Sequence, residues 1–324
     1  MIAVKIEAGF LKTISWLGDK IIDWACGGVL YDCRGKVKES VYYNLPFNFN
    51  AAITSADGTY AFVYSKLGTK GVLLKNGKEL REINRPYYCA NAFEYPAAFT
   101  TLDDVTYLIH CPLRYDRLDF ENVETGKIVT NKKGRKNSDT FHSRLETSPD
   151  GNLLICRGWV WHPRDVVEIY DIRDCLLKPA HLDRKTLYPD IGVEICTASF
   201  INDSLILIGS TDEVYDDEQS CDFSKKLAIW DVKSDTIISH TNVNAEFGNL
   251  FVIDDTYAWD LFIYPKIVNF KTGEIVDEDR TIDSGRQNSS IIGDGTPQII
   301  YNRQTKQIAI ARNESIVILT PGII

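Results

Sequence analysis

LETSPDGNLLICRGWVWHPRDVVEIYD, residues 145–171, reads as two short strands split by a turn, then a third strand ending in Tyr170-Asp171. Its first turn, Ser148-Pro149-Asp150-Gly151, joins a proline that presets one dihedral to an Asp-Gly pair that tolerates a left-handed backbone. Relatives of this turn recur along the chain. SADG at 55–58 precedes YAFVY, LDD at 102–104 precedes VTYLIHC, IND at 201–203 precedes SLILIG, and IDD at 253–255 precedes TYAW. LGD at 17–19 before KIIDWA and the diverged NRQTK at 302–306 before QIAIA complete a set of seven.

The marker residues Asp19, Asp57, Asp104, Asp150, Asp203 and Asp255 follow one another at 38 to 53 residues. The second half of the motif repeats too, as GVLYDCRGKVKES, GVLLKNGKELREI, LDFENVETGKIVT, VEIYDIRDCLL, LAIWDVKSDTIIS and IVNFKTGEIVD. Asn76-Gly77, Thr125-Gly126 and Thr272-Gly273 punctuate these as hairpins. Each period is therefore two hairpins, or four strands, and seven such units of ~45 residues need about 315 residues. The chain has 324. The expected fold is all-β, a seven-bladed β-propeller of four-stranded antiparallel blades.

The seventh period supplies only three strands, which would leave an open sheet edge. IAVKIE at residues 2–7 alternates like a strand, so it is expected to close the ring in the last blade, with residues 1–324 forming one domain.

Composition bounds the rest. Hydrophobic residues at 44% and charged residues at 25% are ordinary globular values. The net charge of −9 opposes wrapping a phosphate backbone, so nucleic acid is not an expected partner. No apolar run is long enough to span a membrane, and the first residues alternate where a leader would be continuously apolar. Eight cysteines stand singly without a Cys-x-x-Cys pair, which favours reduced, mostly buried thiols and a cytoplasmic location.

On these residues the chain resembles the WD40 and YVTN-like seven-bladed propellers. SPDGNLLI at 148–155 and LAIWDVKSDTII at 227–238 carry the likeness, and Tyr31-Asp32 and Tyr170-Asp171 stand where Trp230-Asp231 stands in the fifth blade. No Gly-His dipeptide occurs, so the His and Asp hydrogen-bond network of that family is not expected. The resemblance implies a rigid binding platform.

Signatures of chemistry are sparse. His110, His142, His162, His181 and His240 show no metal-ligand spacing, and neither Gly-x-Ser-x-Gly nor a phosphate-binding loop is present. No catalytic residue, metal or cofactor is expected. The acidic run DEVYDDEQSCD at 212–222, between the second and third strands of blade five, lacks the glycine of a calcium loop and reads as a solvated connection. KKGRK at 132–136 also reads as a solvated loop.

In such a propeller the connections between blades, and those between second and third strands, emerge on one face. YNLPFNFN at 43–50, INRPYYCANAFEYP at 83–96, TNKKGRKNSDTFH at 130–142 and WHPRD at 161–165 are dense in aromatics there. Phe47, Phe49, Arg85, Tyr87, Tyr88, Phe93, Tyr95, Trp161, His162 and Arg164 form the candidate binding set, because interface centres are rich in Tyr, Trp, Phe and Arg. The expected function is binding of a protein or peptide as scaffold, adaptor or inhibitor, by a monomer without membrane contact. The alternative is a lactonase- or quinoprotein-like enzyme acting on a small molecule at the central channel.

Overall fold

A computed structural model of the chain describes residues 1–38, 45, 47–184, 186–215, 221–293 and 295–322. It is an all-β, seven-bladed β-propeller. Every blade is an antiparallel sheet whose strands pair in chain order. The exception is the last: Gln298–Tyr301, Ile308–Arg312 and Ser315–Thr320 are joined by Ile2–Glu7, which pairs with Ser315–Thr320 from Ile2↔Thr320 to Glu7↔Ser315. The N-terminal strand is thus the closing strand of blade seven.

Contacts group the chain into two compact units, Met1–Tyr95 with Gly293–Ile324, and Pro96–Ile292. The first holds blades seven, one and two. Ile6, Ala309 and Ile316 of blade seven pack against Ile21, Val29 and Tyr31 of blade one, and Ile22 on the other face of blade one packs with Ala61, Val63 and Val72 of blade two. The hydroxyl of Ser15 and the indole N–H of Trp24 both meet Thr54 Oγ1, at 2.7 and 2.9 Å.

The second unit holds blades three to six. In blade four, Leu154, Cys156 and Tyr170 face blade three while Ile155, Val167 and Ile169 face blade five. Successive side chains of a strand point to opposite faces, and here both faces are covered. That explains why LLIC and VVEIY read as nearly continuous apolar runs rather than alternating ones. Outer strands differ: Lys78–Asn84 and Glu274–Glu278 are largely exposed and charged, which blunts the sheet edges.

Three blades end their third strand on the same pair, a buried aromatic followed by an Asp that accepts from a backbone N–H two or three residues on. Tyr31, Tyr170 and Trp230 are buried, and the Asp after each folds over the next turn, Asp32 accepting from Arg34 N–H, Asp171 from Asp174 N–H and Asp231 from Lys233 N–H.

Blades three and four depart from the expected fourth strand. IVT in blade three is reduced to a bridge between Glu121 and Ile128. In blade four, IRDCLL is the α-helix Ile172–Leu177, followed by a 3₁₀ turn at Pro179–Asp183, and the fourth-strand position is only the Ile169↔Leu187 bridge. Asp171 acts as the helix N-cap, and Ile172 and Cys175 are the buried pair, a helical rather than an alternating spacing.

The solvated-loop reading of KKGRK holds for Lys132, Lys133, Gly134 and Lys136, which are exposed, and is corrected at Arg135. Its side chain is buried, donating to Asp119 Oδ1 at 2.9 Å, Asp183 Oδ2 at 2.8 Å and Leu118 O at 2.8 Å. In the acidic run, Asp212 and Glu213 belong to the strand Leu205–Val214, and residues 216–220 lie outside the described residues. Residues 43, 44 and 46 of YNLPFNFN do so as well. All eight cysteines are free; Cys111, Cys156, Cys175 and Cys196 are buried and Cys33 is exposed. Among the described residues, no helix is long and apolar enough to cross a membrane.

Candidate functional site

The candidate residues of the first unit separate into packing and surface. Arg85 is buried beneath its own loop, where its guanidinium donates to Gly68 O, Ala90 O, Phe93 O and Glu94 O. It lies over the rings of Phe93 and Tyr95, 4.4 and 4.9 Å from their centroids, and both rings are buried. Three of these carbonyls belong to the loop 85–95 and Gly68 to the hairpin turn before it, so one guanidinium ties the loop to that turn. Phe49 is buried too, its ring 5.9 Å from exposed Phe47. Lys70 covers Phe47 at 5.6 Å. Tyr87, 80% exposed, and Tyr88 remain at the surface.

In the second unit, Trp161 and His162 occupy the turn between Leu153–Val160 and Arg164–Asp171 of blade four, and Arg164 opens the second of these strands. Beneath them Phe141 and Trp159 stack at 3.8 Å and 7°. Trp161 stands edge-on to both, at 5.4 and 5.5 Å, with 46% of its surface exposed. Tyr115, from the corresponding turn of blade three, lies 4.6 Å from Phe141.

The ladder rests on a close backbone approach. Phe141 and Trp159 exchange N–H···O bonds of 2.8 and 3.2 Å, and a Cβ at Gly158 would sit 2.6 Å from Phe141 O. His162 adopts φ +77° ahead of Pro163, a left-handed backbone uncommon outside glycine and against the extended preference of a residue before proline.

Arg164 lies over Tyr215 at 4.1 Å from the ring centroid, and Tyr215 is 42% exposed. Tyr215 follows the second strand of blade five, so it occupies the same kind of connection as Trp161. The sequence reading passed over it because it sits inside an acidic run, although its place between second and third strands was signal enough.

Polar groups surround this patch. Asp165 accepts the Ser290 N–H at 2.7 Å, Ser290 Oγ donates to Arg157 O at 2.8 Å, and Arg144 donates to Ser290 Oγ at 2.8 Å. The segment after blade six is thereby tied to blade four. Glu194, which accepts the Asp165 N–H at 2.7 Å, is held above the usual carboxylate range by burial. A cleft of about 430 Å³ opens beside blades five and six, lined by Ser210, Thr211, Phe247 and Asn288, with Asp212 paired to Lys225 at its rim.

One interior cluster has donors that could hold a metal: His142, Cys156 and Glu168. Burial pushes the His142 imidazole down to about 4 and raises the Glu168 carboxyl and the Cys156 thiol. Blade four therefore buries a histidine network of its own composition without a Gly-His dipeptide.

No family model matches the chain, and a search of curated proteins finds no significant relative.

Proposed function

We propose that this propeller is a non-catalytic protein- or peptide-binding module, a scaffold, adaptor or inhibitor, whose contact surface on the second unit centres on Trp161. The observation that carries this reading is the exposed Trp161 mounted on the buried Phe141–Trp159 stack. An indole held by rigid neighbours loses little freedom on binding, which is what interface anchors require. The left-handed His162 costs on the order of 1–3 kcal/mol, and strain of that kind persists where the surrounding structure over-determines it. Arg164 on Tyr215 adds a cation and a second aromatic at the same edge. Tyr87, Tyr88 and Phe47 offer a separate contact on the first unit. A reducing, cytoplasmic setting fits the eight free thiols.

The test is affinity capture from native lysate with immobilised wild type, Trp161→Ala and Tyr215→Ala, followed by mass spectrometry. Support is a stoichiometric protein retained by wild type and depleted by both variants at unchanged secondary structure. Equal retention by all three overturns the assignment of this surface.

A further inference from the structure

The interior of blade four carries a second, independent inference. His142 Nδ1 lies 3.4 Å from Cys156 Sγ and 3.9 Å from Glu168 Oε2, and all three donor atoms fall within 4.8 Å of one another. Cys156 and Glu168 are direct cross-strand partners, so the sheet register places them side by side. His142 enters from the preceding loop, which the Phe141↔Trp159 bridge anchors to the same strand.

The surroundings orient each donor. His142 Nε2 lies 3.2 Å from Ser138 Oγ, and a proton on Nε2 donated to that oxygen leaves the Nδ1 lone pair pointing inward. The Tyr170 hydroxyl donates to Glu168 Oε2 at 2.8 Å and Thr140 Oγ1 to Oε1 at 3.4 Å. Outer partners of this kind fix the tautomer and aim of ligands in metal sites. Tetrahedral zinc, with bonds of about 2.0–2.3 Å to N, O and S, holds its donors roughly 3.4–3.6 Å apart. The His142–Cys156 pair already has this spacing, and the Glu168 oxygen closes on the other two by up to about 1.3 Å around an ion.

We propose that His142 Nδ1, Cys156 Sγ and Glu168 Oε2 bind a zinc ion inside blade four. A thiolate, an imidazole and one carboxylate suit Zn²⁺, whereas magnesium and calcium take oxygen donors. Binding releases the Cys156 proton to solvent, and the thiolate and carboxylate balance the ion's two charges, with no change of oxidation state. The fourth position goes to water. Because His142 and Cys156 are buried, the ion enters as the blade forms. Their sequence positions follow no metal motif, since they come from a loop and two adjacent strands.

The test uses the full chain, without a histidine tag, unfolded and refolded with and without Zn²⁺, then dialysed. Expected are about one zinc per chain by elemental analysis, a melting midpoint several degrees higher in the zinc-refolded protein, and, on refolding with Co²⁺, a thiolate-to-cobalt absorption band in the near ultraviolet. Cys156→Ser should lose the band and most of the zinc. Should that variant not fold, Glu168→Gln and the wild-type melting difference give the reading. Folded wild type that retains no zinc after refolding in its presence, or Cys156→Ser that retains it fully, overturns the site and leaves a hydrogen-bonded cluster only.

Discussion

The Ser148 hydroxyl donates to Asp150 Oδ1 at 2.6 Å while its oxygen accepts the Leu153 N–H at 2.9 Å, and Ser55 makes the same two bonds, to Asp57 and from Tyr60, at the same distances. Two blades in different units thus turn on one device. The Gly58 and Gly151 N–H groups close both turns onto the serine carbonyl, at 2.9 and 3.0 Å, with φ of +75° and +72°. Hydrogen bonds from Ser55 and Thr59 hold the Asp57 carboxyl below its ordinary range. For Asp150 burial works the other way, but bonds from Ser148 and Asn152 outweigh it.

A depressed carboxyl stabilises the fold above its unfolded pKa, and the contribution is lost as pH falls through the folded value. Ser148→Ala and Ser55→Ala should each cost about 1 kcal/mol at neutral pH. Urea titrations should show this difference narrowing once pH drops below about 3.9. A deficit that stays constant down to the acid limit would mean that the aspartates contribute nothing through ionisation.

Deleting residues 1–8 removes the closing strand of blade seven, with its buried Ile6. The loss of one core side chain, worth about 1.5–3 kcal/mol, adds to an exposed edge that invites association. Calorimetry should show a markedly lower midpoint, and size-exclusion chromatography should show aggregates. Ile6→Asp should reproduce the first effect at full length.

Arg135 is enclosed by Asp119 and Asp183, all three nearly inaccessible. Arg135→Ala should cost about 3–5 kcal/mol by taking the buried cation from Asp183 and leaving Asp119 with Arg117 alone, 3.1 Å away. Arg135→Lys should recover only part, because an ammonium cannot reproduce the fork of a guanidinium. Denaturant unfolding of both variants checks this.

With eight free thiols, alkylation of denatured, unreduced protein should count eight modified cysteines. In the native state Cys33 should react first, and Cys111, Cys156, Cys175 and Cys196 last. A stable intramolecular disulfide in protein made in a reducing compartment would contradict the chemistry read here.

The repeat was legible because its turns use residues with special backbone chemistry, Asp150-Gly151 and Asp57-Gly58, at a regular spacing. What stayed hidden depended on where a side chain goes after its backbone is placed. Arg85 and Trp161 both lie in aromatic connections, yet Arg85 is drawn under its loop by four carbonyls while Trp161 stays out. Arg135 sits in a run of lysines and still turns inward, because Asp119 and Asp183 come from distant strands and turns. IRDCLL looked like a strand because six residues hold too few periods to separate alternation from a helical turn, and the Asp171 cap decided it.

Trp161 and Phe141 separate the surface role of the aromatic ladder from its packing role. Phe141 is fully buried, and Phe141→Ala should cost about 3–5 kcal/mol of stability. Trp161 is half-exposed and meets Phe141 and Trp159 edge to face, so Trp161→Ala should cost about 1–3 kcal/mol, on the scale of two aromatic pairs. Its effect should appear in partner affinity, as a loss of about 2 kcal/mol or roughly thirtyfold. Gly158→Ala supplies the control, because its Cβ would press on Phe141 O and lift the stack without altering any exposed side chain. It should weaken binding in proportion to its displacement of Trp161. A stable Trp161→Ala protein that keeps full affinity for the captured partner would move the binding surface away from blade four.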